Sequence, residues 1–306
     1  MSQIASYELL QKSALNRLDL SSHREGALLR VGEGYGCIHP WPELGDETLD
    51  VLLEDLQGAR VTTLVGRALE CAERFTQDEF FCDSSGQRHT LESHATLPRL
   101  LFSEVQNAVK AGFSAVKVKR GKDWMRMRRK TTALMQAFPD LRWRFDFNGA
   151  LTSHRELSQF LGSIPSSQVD FIEDPFMDES LAEHWRGVPL AHDRVIPQDL
   201  HLEQNYLIGK PALQSREQLT QLAGAHPDRV VFTSYMDHPL GQCFALSEAS
   251  TFYASHGITT PPLCGLVTHQ LYADTPYHAL FPSYAPSLSM PERSALVELL
   301  ERESWI

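Results

Sequence analysis

Three carboxylates and a lysine stand at nearly equal intervals through the middle of the chain. Asp146 follows Lys119 after 27 positions, Glu173 follows after 27 more, and Asp199 after a further 26. The first three each lie just ahead of a chain break, at Gly121, Gly149 and Pro175. Converging carboxylates repel one another unless a cation is shared among them. A hard, oxygen-ligated divalent ion suits the set, and magnesium suits it best, because it takes few carboxylates and leaves room for a substrate oxygen. Two lysines flank the acids: Lys119 in AVKVKRG, with Lys117 on the same face, and Lys210 in YLIGKPAL. Lysines on either side of a metal-bound carboxylate can take a proton from the adjacent carbon and stabilise the enediolate that forms. Such a base must be neutral, and desolvation beside other cations lowers a lysine's pKa toward that state. Three unrelated salt bridges and a wet sheet face are the plainer alternative, and they leave the regular interval without a cause.

The interval is about the length of one β–α unit. From about Leu97 the chain alternates strand with helix. LPRLLF, AVKVKRG, RWRFDFN, VDFIEDP, RVIPQD, YLIGKPAL, RVVFTSY and ITTPPLCGL read as strands. SEVQNAVKAG, DWMRMRRKTTALMQAF and TSHRELSQFLGSI read as helices, the last opened by a Thr or Ser cap. Alternation of this kind implies parallel strands with helical crossovers. In RWRFDFN, Arg144, Asp146 and Asn148 share one face, and Trp143, Phe145 and Phe147 the other. In a barrel the aromatic face packs on helices, while the polar face points inward at the end that carries active sites. The expected fold class is α/β, a TIM-like barrel of residues 95–284, behind an α+β capping unit of residues 1–94 joined by about 285–306. In the cap, GEGYGCIHPWPELGDE reads as turn-rich, followed by helix-like ETLDVLLEDLQ and LVGRALECAERF. Only 11 residues separate Asp199 from Lys210, too few for a crossover helix and a strand. The fifth barrel helix is therefore expected to be missing or reduced, with residues 200–206 a loop or a single turn.

The net charge of −11 argues against a nucleic-acid partner. The basic run from Lys117 to Lys130 reads in its second half as a solvated helix face. No run approaches a membrane span, and the first twenty residues lack an apolar signal core, so no membrane partner is expected. Five cysteines, Cys37, Cys71, Cys82, Cys243 and Cys264, show no paired spacing and read as reduced thiols of a cytoplasmic protein. The thirteen histidines form no zinc motif.

KVK at 117–119, FDFN, IEDP, PQD and GKP together resemble the enolase superfamily, over nearly the whole chain. Members of that superfamily combine a lysine or histidine base with a magnesium-stabilised ene-diolate. Within it, RFDFN (144–148), VFTSYMDHPLG (231–241) and the glycine-rich stretch at 32–49 resemble the o-succinylbenzoate synthase family. The resemblance implies a (β/α)7β barrel under a bipartite cap, magnesium on Asp146, Glu173 and Asp199, and a small-molecule carboxylate as substrate. It implies dehydration of 2-succinyl-6-hydroxy-2,4-cyclohexadiene-1-carboxylate, a step of menaquinone biosynthesis. Lys119 takes the α-proton and returns it to the departing hydroxyl in a syn elimination. Lys210 stabilises the enediolate from the other face, Lys117 supports Lys119, and Asn148 and Arg144 belong to the substrate-binding set. The succinyl carboxylate is expected on backbone N–H groups near Thr233, Ser234 and Gly265, helped by the helix start after Asp237. Dipeptide epimerases and N-succinylamino-acid racemases share both lysines and the metal site. The former usually place acids on the last strand, where ITTPPLCGLVTH has none. A non-enzymatic protein binding through the basic run is the remaining alternative.

Overall fold

The computed structural model describes residues 2–13, 22–58, 61–119, 124–198, 200–281 and 284–306. It begins with an antiparallel sheet of β1 (Ser2–Leu10), β2 (His23–Val31) and β3 (Gly34–Ile38), in that order. The glycines that read as turns are thus largely strand. Gly34 and Gly36 lie under a helix: a Cβ there would stand 1.8 and 2.1 Å from the carbonyl oxygens of Ala72 and Ala68. Their bare backbone lets the second of the two cap helices, α1 (Leu49–Gln57) and α2 (Thr63–Phe75), rest directly on β3.

After β4 (Thr90–Glu92) the chain enters a seven-stranded parallel sheet whose strands run in chain order. β5 (Ala95–Leu97) precedes α3 (Phe102–Lys110), and β6 (Ala115–Lys119) precedes α4 (Trp124–Ala137). β7 (Arg142–Asp146) precedes α5 (His154–Leu161), and β8 (Val169–Glu173) precedes the short α6 (Glu179–His184). β9 (Leu190–His192) then runs to β10 (Tyr206–Gly209) with no helix among the described residues between them, only a turn in which Asn205 N–H donates to the His201 carbonyl at 3.1 Å. That missing crossover is as expected. α7 (Arg216–Ala223), β11 (Val230–Phe232) and α8 (Pro239–Ser255) complete the series.

An eighth position closes the ring. The Cys264 N–H donates to the Glu92 carbonyl and its own carbonyl accepts from His94, both at 2.8 Å. The Gly265 N–H donates to the Phe232 carbonyl at 2.8 Å, and its carbonyl accepts from Ser234 at 3.3 Å. The strand expected over ITTPPLCGL shrinks to these two residues, since Pro261 and Pro262 offer no N–H. Two other strands are displaced from their expected places. LPRLLF contributes only its first residue to β5, and Phe102 already begins α3. RVIPQD is not a strand over its described residues, because the strand forms earlier, at Leu190–His192.

The aromatic face of β7 packs outward as its parity requires. Phe160 of α5 meets Phe145 and, just beyond the strand, Phe147, at ring separations of 5.0 and 5.2 Å, and Trp124 of α4 at 5.8 Å. Ser153 caps α5, accepting from the Glu156 N–H. The basic residues of α4, Arg126, Arg128, Arg129 and Lys130, are exposed, and all five cysteines are free. At the far end, β12 (Ser287–Ser289) pairs with β4, and α9 (Arg293–Leu300) leads Ile306 back to a two-way hydrogen-bond pair with Ile4. No helix of the described residues is long and apolar enough to cross a membrane.

Phe160 is fully buried at the junction of α4, α5 and β7. Phe160→Ala should cost about 3–5 kcal/mol in urea denaturation. A loss under about 1 kcal/mol would mean that this layer does not hold β6 and β7 in place.

Candidate active site

The C-terminal ends of the barrel strands open into one cavity of about 400 Å³. Lys117 and Lys119 reach it from β6, Asp146 from β7, Glu173 from β8 and Lys210 from just beyond β10. Asn148, Thr233, Ser234 and Gly265 also line it, so most residues singled out in the sequence share this cavity. In the ring of eight positions, β6 and β10 are four apart, which sets Lys119 and Lys210 across from each other. The three strand ends between them carry the acids.

Among the described residues, the third acid at the mouth is Asp193. Asp193 directly follows β9 and lines the cavity, while Asp199 lies outside the described residues. The β8–β9 crossover is shortened, so the carboxylate arrives 20 positions after Glu173 and the regular interval points past it. Asp174 fixes this short turn. Its carboxylate accepts the N–H groups of Asp193 at 3.0 Å and Arg194 at 2.8 Å, and its own backbone is left-handed at φ 36°.

The charges are paired across the mouth. Lys117 Nζ donates to Glu173 at 2.5 Å and stands 3.5 Å from Asp146; Lys210 Nζ donates to Asp193 at 2.6 Å. Burial works against the Lys117 ammonium, but Glu173, Asp146 and Asp193 outweigh it and hold its pKa above the usual range. Lys119 differs: burial pushes its pKa down, Asp146 opposes, and the cations Lys117 and Lys210 push it further down. Burial raises the Glu173 pKa, with Lys117 opposing and Asp146 adding to the rise. For Asp193 burial is outweighed by Lys210 and Lys117, so its carboxylate stays ionised.

Among the described residues no three acidic, histidine or cysteine side chains close on a single point, because ammonium groups stand between the acids. The donors nevertheless fit a hard divalent ion: three carboxylates on neighbouring strand ends, with Glu173 Oε2 buried and without a hydrogen-bond partner.

Two parts of the substrate-binding expectation change. Arg144 lies behind the cavity. Its guanidinium bonds Asp170 at 2.7 Å, the Leu263 carbonyl at 2.7 Å and His94 Nδ1 at 2.8 Å, so it ties the closing segment to β7. A guanidinium only donates, so His94 Nδ1 accepts. Burial, then Arg144 and Lys117, hold that imidazole neutral, with its proton on Nε2. The backbone N–H groups near the closing segment are also engaged. Thr233 donates to the Gly209 carbonyl, Ser234 to that of Gly265, and Gly265 to that of Phe232. His238 caps the helix after Asp237 by accepting from the Leu240 N–H at 3.1 Å. Gly265 serves close packing instead: a Cβ there would stand 2.7 Å from the Thr233 methyl and 2.8 Å from the His94 ring. The free groups are side chains. Thr233 Oγ1 is buried without a partner, and Arg194 lines the mouth.

The cap completes the walls with Leu44 and Asp46. Asp46 accepts from the Trp41 N–H and the Tyr235 hydroxyl, both at 2.8 Å, and Trp41 Nε1 donates to the Tyr235 carbonyl at 2.9 Å. Nothing in the periodicity marks these cap residues, because they act through a loop.

A lysine pair facing across a ring of strand-end acids, under an N-terminal α+β cap, agrees with the family comparisons. Residues 101–196 match the family model described as "Enolase C-terminal domain-like", and residues 2–77 that of the o-succinylbenzoate synthase N-terminal domain. The chain belongs to the enolase superfamily and is an enzyme. Its relatives include the o-succinylbenzoate synthase of Bdellovibrio bacteriovorus, 26% identical over 98% of this chain and 96% of that one, which supports the hydro-lyase class. Among solved structures, the o-succinylbenzoate synthase of Thermosynechococcus elongatus BP-1, with magnesium in its active site, matches with a TM-score of 0.67 at 20% identity, covering 98% of this chain and 99% of that one. A dipeptide epimerase of Enterococcus faecalis V583, complexed with magnesium and L-Leu-L-Tyr, matches with a TM-score of 0.73 at 14% identity, covering 95% and 96%. At these identities the two structures speak for the fold.

Calorimetry separates the two candidates for the third ligand. Asp193→Asn should weaken magnesium binding by at least about tenfold, and Asp199→Asn by less than about twofold. The reverse order would return the role to Asp199.

Proposed function

We propose that this enzyme dehydrates 2-succinyl-6-hydroxy-2,4-cyclohexadiene-1-carboxylate to 2-succinylbenzoate, as in menaquinone biosynthesis. The observation that carries the reading is the pair of lysines, Lys119 and Lys210, set across one cavity with Asp146, Glu173 and Asp193 between them. The match of the cap to the synthase family model and the Bdellovibrio relative favour the synthase over other members of the superfamily.

Asp146, Glu173 and Asp193 would hold magnesium, which when bound supplies positive charge opposite the substrate's ring carboxylate. Lys119, kept toward neutrality by burial and two cations, accepts the α-proton at Nζ. The electrons of that C–H bond move into the enediolate, and the Lys210 ammonium faces the charge that develops. The Lys119 ammonium then gives the proton to the neighbouring hydroxyl. The C–O bond breaks, water leaves, and the ring becomes aromatic. Lys117 remains charged throughout, since three carboxylates surround it. The succinyl carboxylate meets side chains, namely the Thr233 hydroxyl and the Arg194 guanidinium, in place of backbone N–H groups. The neutral imidazole of His94 forms the wall beside Thr233.

The direct test follows loss of diene absorbance with purified protein and magnesium. Lys119→Ala should lower kcat by about 10²–10⁴-fold and abolish α-proton exchange. Lys210→Ala should lower kcat by about 10²–10³-fold. Wild-type protein that epimerises dipeptides or racemises N-succinylamino acids, yet leaves the diene untouched, would overturn the synthase reading.

The pH profile carries a sign. Lys119 works deprotonated and its folded pKa is depressed. The rate constant kcat/KM should therefore rise with pH through an inflection below the free-lysine value of about 10.4. An inflection at or above that value would exclude Lys119 as the base.

A further inference from the structure

Arg67, on α2 of the cap, is buried, and all three of its guanidinium nitrogens are engaged. Nη1 pairs with Glu70 one turn along the same helix. Nη2 donates at 3.0 Å to Glu248 of α8, a carboxylate only 1% exposed, and the guanidinium stacks over Phe244 at 5.1 Å. Nε donates at 2.7 Å to the carbonyl of Pro211, the residue that follows Lys210.

On the cap side the Lys210 segment also rests Ala212 and Leu213 on the cap's apolar cluster, a contact without the direction of a hydrogen bond. No crossover helix among the described residues precedes β10. The strand ends at Gly209, and Lys210 begins a turn in which its carbonyl accepts from Leu213 at 2.8 Å and Gln214 at 2.9 Å. Its N–H donates to the Gln214 side chain at 2.9 Å. These bonds are internal to the turn. Among the hydrogen bonds of this turn, the one from Arg67 reaches it from the cap.

Glu248 fixes Arg67 in turn. It also pairs with Arg74, two turns further along α2, and stands 3.4 Å from Arg216 Nε of α7. Glu70, Glu248 and Phe244 hold Arg67 from three sides, so the guanidinium has little freedom to leave Pro211.

We infer that Arg67 is a positioning residue for Lys210: the cap helix sets the reach of the ammonium across the barrel, and a docked cap and a correctly placed lysine are one structural event. The inference rests on Lys210 being the second lysine of the reaction proposed above.

Arg67→Lys and Arg74→Met test it together. Arg67→Lys keeps a positive charge beside Glu248 and Glu70 but loses the fork that reaches Pro211. Arg74→Met removes another partner of Glu248 from the same helix without touching that carbonyl. Arg67→Lys should lower kcat about tenfold with KM nearly unchanged, because a small misplacement of a reacting group acts on turnover. Amide hydrogen exchange at Leu213 and Gln214 should speed up in the same variant. Arg74→Met should leave both readouts at the wild-type level. Equal effects of the two variants, or wild-type behaviour in Arg67→Lys, would overturn the inference. Should Arg67→Lys not fold, Arg67→Met leaves Glu248 to Arg74 and Arg216, removes the donor to Pro211, and should show the same pattern. A wild-type protein inactive on the diene would count against the dehydration reading alone, and the exchange comparison would still decide the tie to Pro211.

Discussion

Buried charge at the barrel mouth has to be balanced within a few ångströms. The Lys117 ammonium between Glu173 and Asp146, and the Lys210 ammonium on Asp193, meet that constraint. Neither half is stable alone in such a place: carboxylates without cations would take up protons, and ammonium groups without acids would lose them. Lys119 lies outside this pairing, close enough to feel both other lysines. One lysine is thus kept charged and its neighbour two residues along is driven toward neutrality, from the same strand. Strand parity puts both side chains on the inner face, and the difference between them comes from which acids each one meets.

The barrel supports this arrangement unevenly. On the side of β6 to β8, aromatic residues pack outward on full helices, and the register holds Lys119 beside Asp146 and Asp146 beside Glu173. On the side of β9 and β10 the crossovers are short or, among the described residues, lack a helix, and side-chain clamps stand in for helical packing. Asp174 secures the turn that presents Asp193. Asn205 accepts from the Leu190 N–H at 3.0 Å and so joins the far end of the loop to the start of β9. The cap contributes through Arg67 on Pro211, through Asp46 and Trp41 on Tyr235, and through apolar packing on Ala212 and Leu213. The cap is therefore a wall of the site and also a brace for its less regular half.

The regular half was legible in the sequence. Lys119, Asp146 and Glu173 stand one β–α unit apart, and RWRFDFN separates its polar and aromatic faces by parity alone. The irregular half was not. β9 is three residues long, too short to show a period, and its acid comes early because α6 has only six residues. Extending the interval therefore lands on Asp199. The short distance to Lys210 did reveal that a helix is missing, since chain length constrains a crossover whichever acid begins it. Backbone N–H groups near Gly265 looked available because nothing in the sequence tells that Cys264 and Gly265 close the ring. Arg144 sat on the correct face, but its partners, Asp170, His94 and the Leu263 carbonyl, are long-range contacts that no spacing encodes.

In the proposed site the acids on β7, β8 and the end of β9 share one metal ion between two opposed lysines. A crystal structure with magnesium and the product 2-succinylbenzoate tests it most directly. Carboxylate oxygens of Asp146, Glu173 and Asp193 are then expected at about 2.0–2.1 Å from one ion, with Lys119 and Lys210 on opposite faces of the product ring. An ion bound through Asp199 in place of Asp193, or both lysines on one face of the ring, would contradict the account.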